Sequence, residues 1–283
     1  MNYRDYISNP SRPCAVVVHR GFWEGAPENS LLAIARAIAA GHDIVEIDVR
    51  RTVDGEFVLL HDDTLERMAG SKKRPESMTL KEVTKLRLRD RDGGEANVLT
   101  RERVPSLNEV FELTRDRIFI HLDVKHREVI PEVLTLAQAI GVDQQVDFWA
   151  DLQTPRDLAW IREVVGPHGV LFMPKTHLNA ADAATQLDLV FDLAPAVCEL
   201  VYDTLGDITA VSDRFAAAGI ALWCNTLDGV ACGGFTDTAA RDNPDDIWGR
   251  LIDAGVSVIQ TDHADLLRAF ATDRAGGSLM AAS

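Results

Sequence analysis

Ile44-Val45-Glu46-Ile47-Asp48-Val49-Arg50-Arg51-Thr52-Val53-Asp54-Gly55-Glu56-Phe57-Val58-Leu59-Leu60-His61 carries two signals at once. Ile44–Asp48 is a short apolar run with charges at alternate positions. A strand places Glu46 and Asp48 on one face and Val45 and Ile47 on the other. Asp-Gly between two extended runs then signals a tight hairpin with positive φ at both central residues. With Asp54 and Gly55 as those residues, Val53 pairs with Glu56. Asp48 then lies opposite His61, at the level where the strand leaves the sheet.

Outward from this stretch, short apolar runs alternate with longer amphipathic ones, the pattern of βα units. Strands are expected at Cys14–His19, Ile44–Asp48, Ile118–Lys125, Val146–Trp149, Val170–Met173, Val197–Leu200, Ala221–Asn225 and Val256–Thr261. Eight such units close a (β/α)8 TIM barrel, here with a β-hairpin extension after the second strand, and roughly 250 residues is the usual size of that fold. One domain over 1–274 is therefore expected, with a flexible Gly- and Ala-rich tail at 275–283. Asn29 or Ser30 can cap a helix that ends at Gly41, and Thr79–Glu82 and Ser106–Glu109 read as capping boxes. Between His61 and the third strand, only loops and two helices are expected.

The 283 residues carry a formal charge of -15. Such a field disfavours nucleic acid and anionic lipid, so no nucleic-acid partner and no stable membrane association are expected. Any phosphate must be held by a local cation and a few Arg or Lys. The N-terminus lacks the apolar core of a signal peptide, and no run is long enough to span a membrane. Cys14, Cys198, Cys224 and Cys232 are scattered and read as free thiols of a reducing compartment. A cytoplasmic location is the resulting expectation, and the oligomeric state stays open.

In these barrels the active site forms at the carboxyl ends of the strands. Those ends supply His19 and Arg20, then Glu46 and Asp48, then Asp123 and Lys125. Three converging carboxylates repel one another and raise their own pKa values unless a cation joins them. All-oxygen ligation favours Mg²⁺ or Ca²⁺. Ion pairs with Arg20 or Lys125 are the purely structural alternative, but they leave both histidines without a purpose.

The ordered set His19-Arg20-Gly21, Pro27-Glu28-Asn29-Ser30, Glu46-x-Asp48, Thr52-x-Asp54-Gly55 and His61-Asp62 resembles the opening of the glycerophosphodiester phosphodiesterase family. The resemblance continues through Asp63-x-Leu65-x-Arg67, Val104-Pro105-x-Leu107-x-Glu109-Val110, Asp123-x-Lys125, Trp223 and Thr261-Asp262. It implies metal-dependent hydrolysis of a small-molecule phosphodiester to an alcohol and sn-glycerol 3-phosphate. His19 and His61 would be the general acid–base pair, Arg20 and Lys125 the phosphate ligands, and Glu46, Asp48 and Asp123 the ligands of one divalent cation. Two positions depart from the family pattern. The third ligand is usually Glu, whereas Asp123 is one methylene shorter. Trp223-Cys224-Asn225-Thr226 replaces the usual Trp-Thr-Val-Asn, so the alcohol pocket is altered.

Trp223 and Asn225 share a strand face and are expected in the substrate pocket. Lys175, placed just past the fifth strand, is expected there too, and Glu199 and Trp149 hold comparable positions. Asp62 points opposite to His61 if the strand persists, and reads as an orienting or turn residue rather than a metal ligand. His121 is expected inside the barrel, hydrogen-bonded. Other readings are a related barrel phosphodiesterase for a lysophospholipid, phosphosphingolipid or sugar phosphodiester, and a barrel that binds a phosphoryl ligand without turnover.

Overall fold

The structure, a computed structural model, describes residues 1–281, with side chains through Gly276. Among the described residues the main sheet has nine strands, of which eight run round the barrel: β1 (Ala15–Val18), β2 (Ile44–Arg51), β3 (Phe119–Val124), β4 (Val146–Asp151), β5 (Leu171–His177), β6 (Val197–Val201), β7 (Ala221–Asn225) and β8 (Val256–Thr261). Their order runs from β1 through β8, β7 and so on down to β2, and β1 also pairs with β2, so the sheet closes on itself. The pairs whose register is defined, β2–β3, β3–β4, β5–β6, β6–β7 and β7–β8, run parallel. Helices lie between the strands, giving the expected (β/α)8 barrel.

The chain divides into two compact units. One comprises Val18–Phe148 with His168–Val170, and the other Asn2–Val17, Trp149–Pro167 and the residues from Leu171 onward. The final helix begins at Ala264 and is assigned to Ala281, so the tail expected at 275–283 starts within it and ends outside the described residues.

Local signals in the first unit explain much of its shape. Ser30 accepts the Ala33 N–H and caps the helix α1 (Leu31–Ala39). Both expected capping boxes are present, starting the helices Leu80–Val83 and Leu107–Thr114. Gly21 has φ +82°, and a Cβ there would lie 2.9 Å from Ala33. Only glycine lets the chain turn after His19 and Arg20 while α1 packs directly against it.

Phe57–Leu59 returns antiparallel to β2, but one residue out of the expected register. Val49 pairs with Leu59 and Arg51 with Phe57, and the Leu60 N–H donates to the Asp48 carbonyl. Asp48 is thus level with Leu60 rather than His61. The turn explains the slip. Thr52 donates to the Glu56 carbonyl at 2.7 Å across a loop of Val53, Asp54 and Gly55. Gly55 alone of the Asp-Gly pair has positive φ, as in a three-residue loop with a glycine bulge. Asp54 turns to other work, accepting from Thr52 Oγ1 at 2.6 Å and from the Leu80 N–H at 3.0 Å.

The excursion from 53 to 104 has its own apolar core of Val58, Leu60, Leu65, Met68, Met78, Val83, Leu88 and Val104. It also holds an antiparallel pair, Arg87–Arg89 with Leu99–Arg103, where only loops and helices were expected. Strand β5 is longer than expected because it runs through Pro174 to His177; Lys175 therefore lies within the strand.

Candidate active site

β2 and β3 build the centre of the first unit. Parallel register sets Glu46 beside His121 and Asp48 beside Asp123. Oxygens of Glu46, Asp48 and Asp123 lie within 4.8 Å of one another. The shorter arm of Asp123 therefore reaches the cluster. Glu46 and Asp48 are buried, while the Asp123 side chain is 23% exposed.

Two cations lie among these carboxylates. Lys125 Nζ is 2.5 Å from Asp48 Oδ1 and 2.6 Å from Asp123 Oδ2. Arg20 Nε is 3.2 Å from Asp48 Oδ2, and the Arg20 backbone N–H donates to Glu46 Oε2 at 3.0 Å. Asn29 grips Asp48 at both ends: its Nδ2 donates to Oδ2 at 2.7 Å, and its Oδ1 accepts the Asp48 backbone N–H at 3.1 Å. Arg20 and Asn29 both hold positive φ, a conformation that costs free energy and is retained where surrounding contacts impose it.

The electrostatics divide the carboxylates. Burial pushes Asp48 up, but Lys125, Arg20 and His61 outweigh it and hold its carboxyl below the usual carboxylate range. Burial, with Asp48 and Asp123 alongside, pushes Glu46 well above that range despite Arg20 and Lys125. Burial also opposes the charge on Lys125, yet Asp48 and Asp123 raise it to about 12. Three carboxylates against two cations leave the cluster short of positive charge, and Glu46 registers the deficit. This all-oxygen donor set suits a hard divalent cation. The ion pairs anticipated as the structural alternative are present, but they do not complete the charge balance.

His19 Nε2 lies 4.0 Å from Glu46 Oε2. His61 is 42% exposed, and its Nδ1 is 2.9 Å from Asp62 Oδ1. Asp62 would point the other way only if the strand persisted this far. Strand pairing stops at Leu59, so the alternation of faces does not extend to residues 61 and 62. His61 is held from behind by Arg50, a buried residue without an assigned role in the sequence reading. Its Nη2 donates to the His61 carbonyl at 2.9 Å and to Asp63 at 2.7 Å. His121 meets its expected partner in kind, with Nδ1 3.0 Å from Asp147 Oδ1.

The second unit gathers the other expected residues at the ends of β4–β7. Lys175 Nζ lies 2.9 Å from Glu199 Oε1 and sits 4.7 Å from the centre of the Trp149 ring. Asn225 Nδ2 donates to the same Glu199 oxygen at 3.0 Å, and the Trp223 indole N–H donates to Asn225 Oδ1 at 2.8 Å. Trp223 is fully buried. It supports Asn225 from within and presents no surface of its own. Burial lowers the Lys175 pKa and Glu199 raises it, with a net upward shift, so this ammonium stays charged.

Known proteins supply a further comparison. Over 111 residues, 39% of the chain, it is 37% identical to a glycerophosphodiester phosphodiesterase of Caldanaerobacter subterraneus, covering 44% of that protein. Over 126 residues, 42% of the chain, it is 36% identical to mouse glycerophosphodiester phosphodiesterase 1, covering 36% of it. The chain thus matches less than half the length of these relatives. Among solved structures, a glycerophosphoryl diester phosphodiesterase from Parabacteroides distasonis superposes with a TM-score of 0.75 at 21% identity, covering 99% of this chain and 93% of that one. The two curated relatives bear the name of the family that the sequence motifs resemble, and the solved structure shares the fold. A phosphodiesterase from Oleispira antarctica, solved with its product sn-glycerol-3-phosphate, shares the fold at a TM-score of 0.66 and 20% identity, over 92% of this chain and 97% of that one. A family model described as a domain of unknown function matches residues 172–271, the stretch that contains Lys175, Glu199, Trp223 and Asn225. Among the described residues, no helix is long and apolar enough to cross a membrane.

Proposed function

We propose that the protein is a phosphoric diester hydrolase that cleaves glycerophosphodiesters to an alcohol and sn-glycerol 3-phosphate. The observation that carries this reading is the meeting of Glu46, Asp48 and Asp123 with Arg20, Lys125 and His19 in one small space. Support comes from curated relatives that bear this activity in their names and from the product bound to the Oleispira phosphodiesterase.

Glu46, Asp48 and Asp123 would hold one divalent cation, Mg²⁺ or Ca²⁺. Bound there, it would neutralise nonbridging phosphate oxygens and so lower the barrier to attack on phosphorus. Arg20 and Lys125 are charged, half-sheltered donors suited to the same anionic group. Their role is strongest as charge builds in the transition state. His19 and His61 take the proton work: one removes a proton from the nucleophile, the other protonates the leaving alkoxide. Imidazole titrates near neutral pH and can serve in either direction. Lys175 and Asn225 would contact the alcohol, with Trp223 holding Asn225 in place. The four free cysteines agree with a cytoplasmic setting for this reaction.

A second headgroup class is favoured by one observation: the Lys175–Glu199–Asn225 cluster is polar and charged, unlike a plain apolar wall. Product analysis on a panel tests both readings. Glycerophosphocholine, glycerophosphoethanolamine, glycerophosphoinositol, a lysophospholipid and a sugar phosphodiester would each be incubated with protein and Mg²⁺ or Ca²⁺. Release of glycerol 3-phosphate from the first three is the expected result. Turnover of only the last two would replace the substrate class, and turnover of none would refute the enzyme reading.

A further inference from the structure

Arg67 belongs to a matched motif but has no role assigned above, and it touches both halves of the proposed machinery. Its Nε donates to Asp62 Oδ2 at 2.8 Å and its Nη2 to Asp62 Oδ1 at 2.8 Å, a bidentate pair. Nη2 also donates to Glu28 Oε1 at 2.7 Å, and Nη1 donates to the Asp92 carbonyl. Asp62 in turn meets His61 Nδ1. Glu28, buried, accepts from Arg20 Nη1 at 3.1 Å through each of its oxygens. One guanidinium thus joins His61, through Asp62, to Arg20, through Glu28.

We propose that Arg67 is a positioning residue that fixes the ring of His61 through Asp62 and the guanidinium of Arg20 through Glu28. The inference rests on the catalytic reading of His61 and Arg20 given above. Its chemistry follows from donor and acceptor counts. An ionised carboxylate can only accept, so the His61 nitrogen facing Asp62 must carry hydrogen in either charge state of the ring. Nε2 is then the atom that exchanges a proton with substrate. A planar fork with donors on three nitrogens meets all these partners at once; an ammonium cannot. Burial works against the charge on Arg67, but Asp62 and Glu28 raise its pKa further still, so the hub stays charged.

The small antiparallel pair and its connecting loop give this hub a reason to be rigid. The Gly94 N–H donates to the Arg67 carbonyl at 2.8 Å, and the Glu28 N–H donates to the Arg91 carbonyl at 2.9 Å. Gly93 is pressed so closely that a Cβ would lie 2.7 Å from the Arg67 carbonyl oxygen and 2.5 Å from Met68 Sδ. The loop therefore fastens the segments that bear Arg67 and Glu28.

The test compares wild type with Asp62→Asn, Asp62→Ala, Arg67→Lys, Arg67→Gln and His61→Ala. Steady-state kinetics on glycerophosphoethanolamine with Mg²⁺ would be joined by ¹⁵N spectra of the His61 ring in metal-free protein. Loss of a partner that orients a working histidine lowers activity by roughly 10–100-fold. The Asp62 variants should lose that much kcat with little change in KM. Arg67→Gln should lose kcat and also raise KM, because Arg20 is released, and Arg67→Lys should not restore either. In the spectra, wild type should show hydrogen on Nδ1, and the Asp62→Ala and Arg67→Gln rings should shift toward the Nε2–H tautomer. In a His61→Ala background, the Asp62 change should cost no further kcat. Normal kcat in the Asp62 and Arg67 variants beside an inactive His61→Ala would overturn the inference alone. A reduced kcat with the His61 tautomer unmoved would overturn it as well, by showing a merely structural effect. Full activity in His61→Ala would overturn the catalytic reading, and the inference with it.

Discussion

Neutralising Glu46 should make the metal-free protein more stable, although the residue is buried at the heart of the site. Its carboxylate shares the space within 4.8 Å with those of Asp48 and Asp123. Two unit charges at that separation repel by about 3.5 kcal/mol at an effective dielectric constant near 20. Arg20 and Lys125 offset part of this, leaving roughly one uncompensated negative charge in the cluster. Glu46→Gln removes it and retains an oxygen to accept the Arg20 N–H. A gain of about 1–3 kcal/mol follows from the same Coulomb estimate. For a chain of this size each kcal/mol is about 2–4 °C in Tm.

The pH dependence fixes the sign. The folded pKa of Glu46 is raised well above its ordinary value, so the folded protein binds a proton there that the unfolded chain has released. Stability of the metal-free wild type therefore falls as pH rises through that window, while the variant has nothing to titrate. The Tm gap should be small in acid and widen toward neutral pH. With Mg²⁺ or Ca²⁺ the gap should shrink by most of the metal's own stabilisation. A ligand at 100 times its Kd stabilises by about 2.7 kcal/mol, and the variant, one ligand short, should lose most of this. Thermal unfolding from pH 4.5 to 8, with EDTA or with metal, reads all three effects. A variant less stable than wild type at every pH in EDTA, with its metal-dependent gain intact, would refute the reasoning.

His19→Ala and His61→Ala should each lower turnover at least ~100-fold in metal-replete enzyme, and unchanged rates would remove their assignment. Gly21→Ala should destabilise by roughly 1–3 kcal/mol from its backbone conformation alone, and more from the clash with Ala33; chemical denaturation measures this, and a neutral result would show that the turn after Arg20 is pliable. Lys175→Met should raise KM with less effect on kcat, and steady-state kinetics across the diester panel would reveal which alcohol depends on it. As pH falls, the stabilising contribution of Asp48 should be lost progressively from the ordinary carboxylate range downward, because the unfolded chain takes up a proton there while the folded carboxyl, with its depressed pKa, does not. Denaturation of Asp48→Asn beside wild type should show a gap that is constant near neutrality and begins to narrow as pH falls through the ordinary carboxylate range.

Much of the barrel was legible because βα alternation is written in hydrophobic periodicity, and β7 and β8 fall at the expected bounds. The carboxylate cluster was equally accessible: alternation along β2 and β3 places Glu46, Asp48 and Asp123 without tertiary information. Features that depended on a choice between similar local geometries went astray. Asp54-Gly55 suits a two-residue turn and a three-residue bulged loop alike, and the one-residue difference moved Leu60 into the place expected for His61. The fifth strand was expected to stop at Met173, just before a proline, a residue that rarely sits inside a sheet, yet β5 continues to His177.

The Arg67 hub was hidden for another reason. Glu28 and Arg67 are 39 residues apart, and periodicity does not report an ion pair between loops. Arg87–Arg89 and Leu99–Arg103 are rich in arginine and were masked as strands by their charge. Gly93-Gly94 between them was a turn signal that could have revealed the pair.

The central claim is that Glu46, Asp48 and Asp123 hold the cation needed for phosphodiester hydrolysis. Its most direct test is the initial rate of glycerol 3-phosphate release from glycerophosphoethanolamine by EDTA-stripped protein, titrated with Mg²⁺ or Ca²⁺. The account predicts negligible release in EDTA and a saturable return of activity with one cation per chain, lost in Asp48→Asn. Full release in EDTA, or undiminished metal-dependent release by Asp48→Asn, would contradict it.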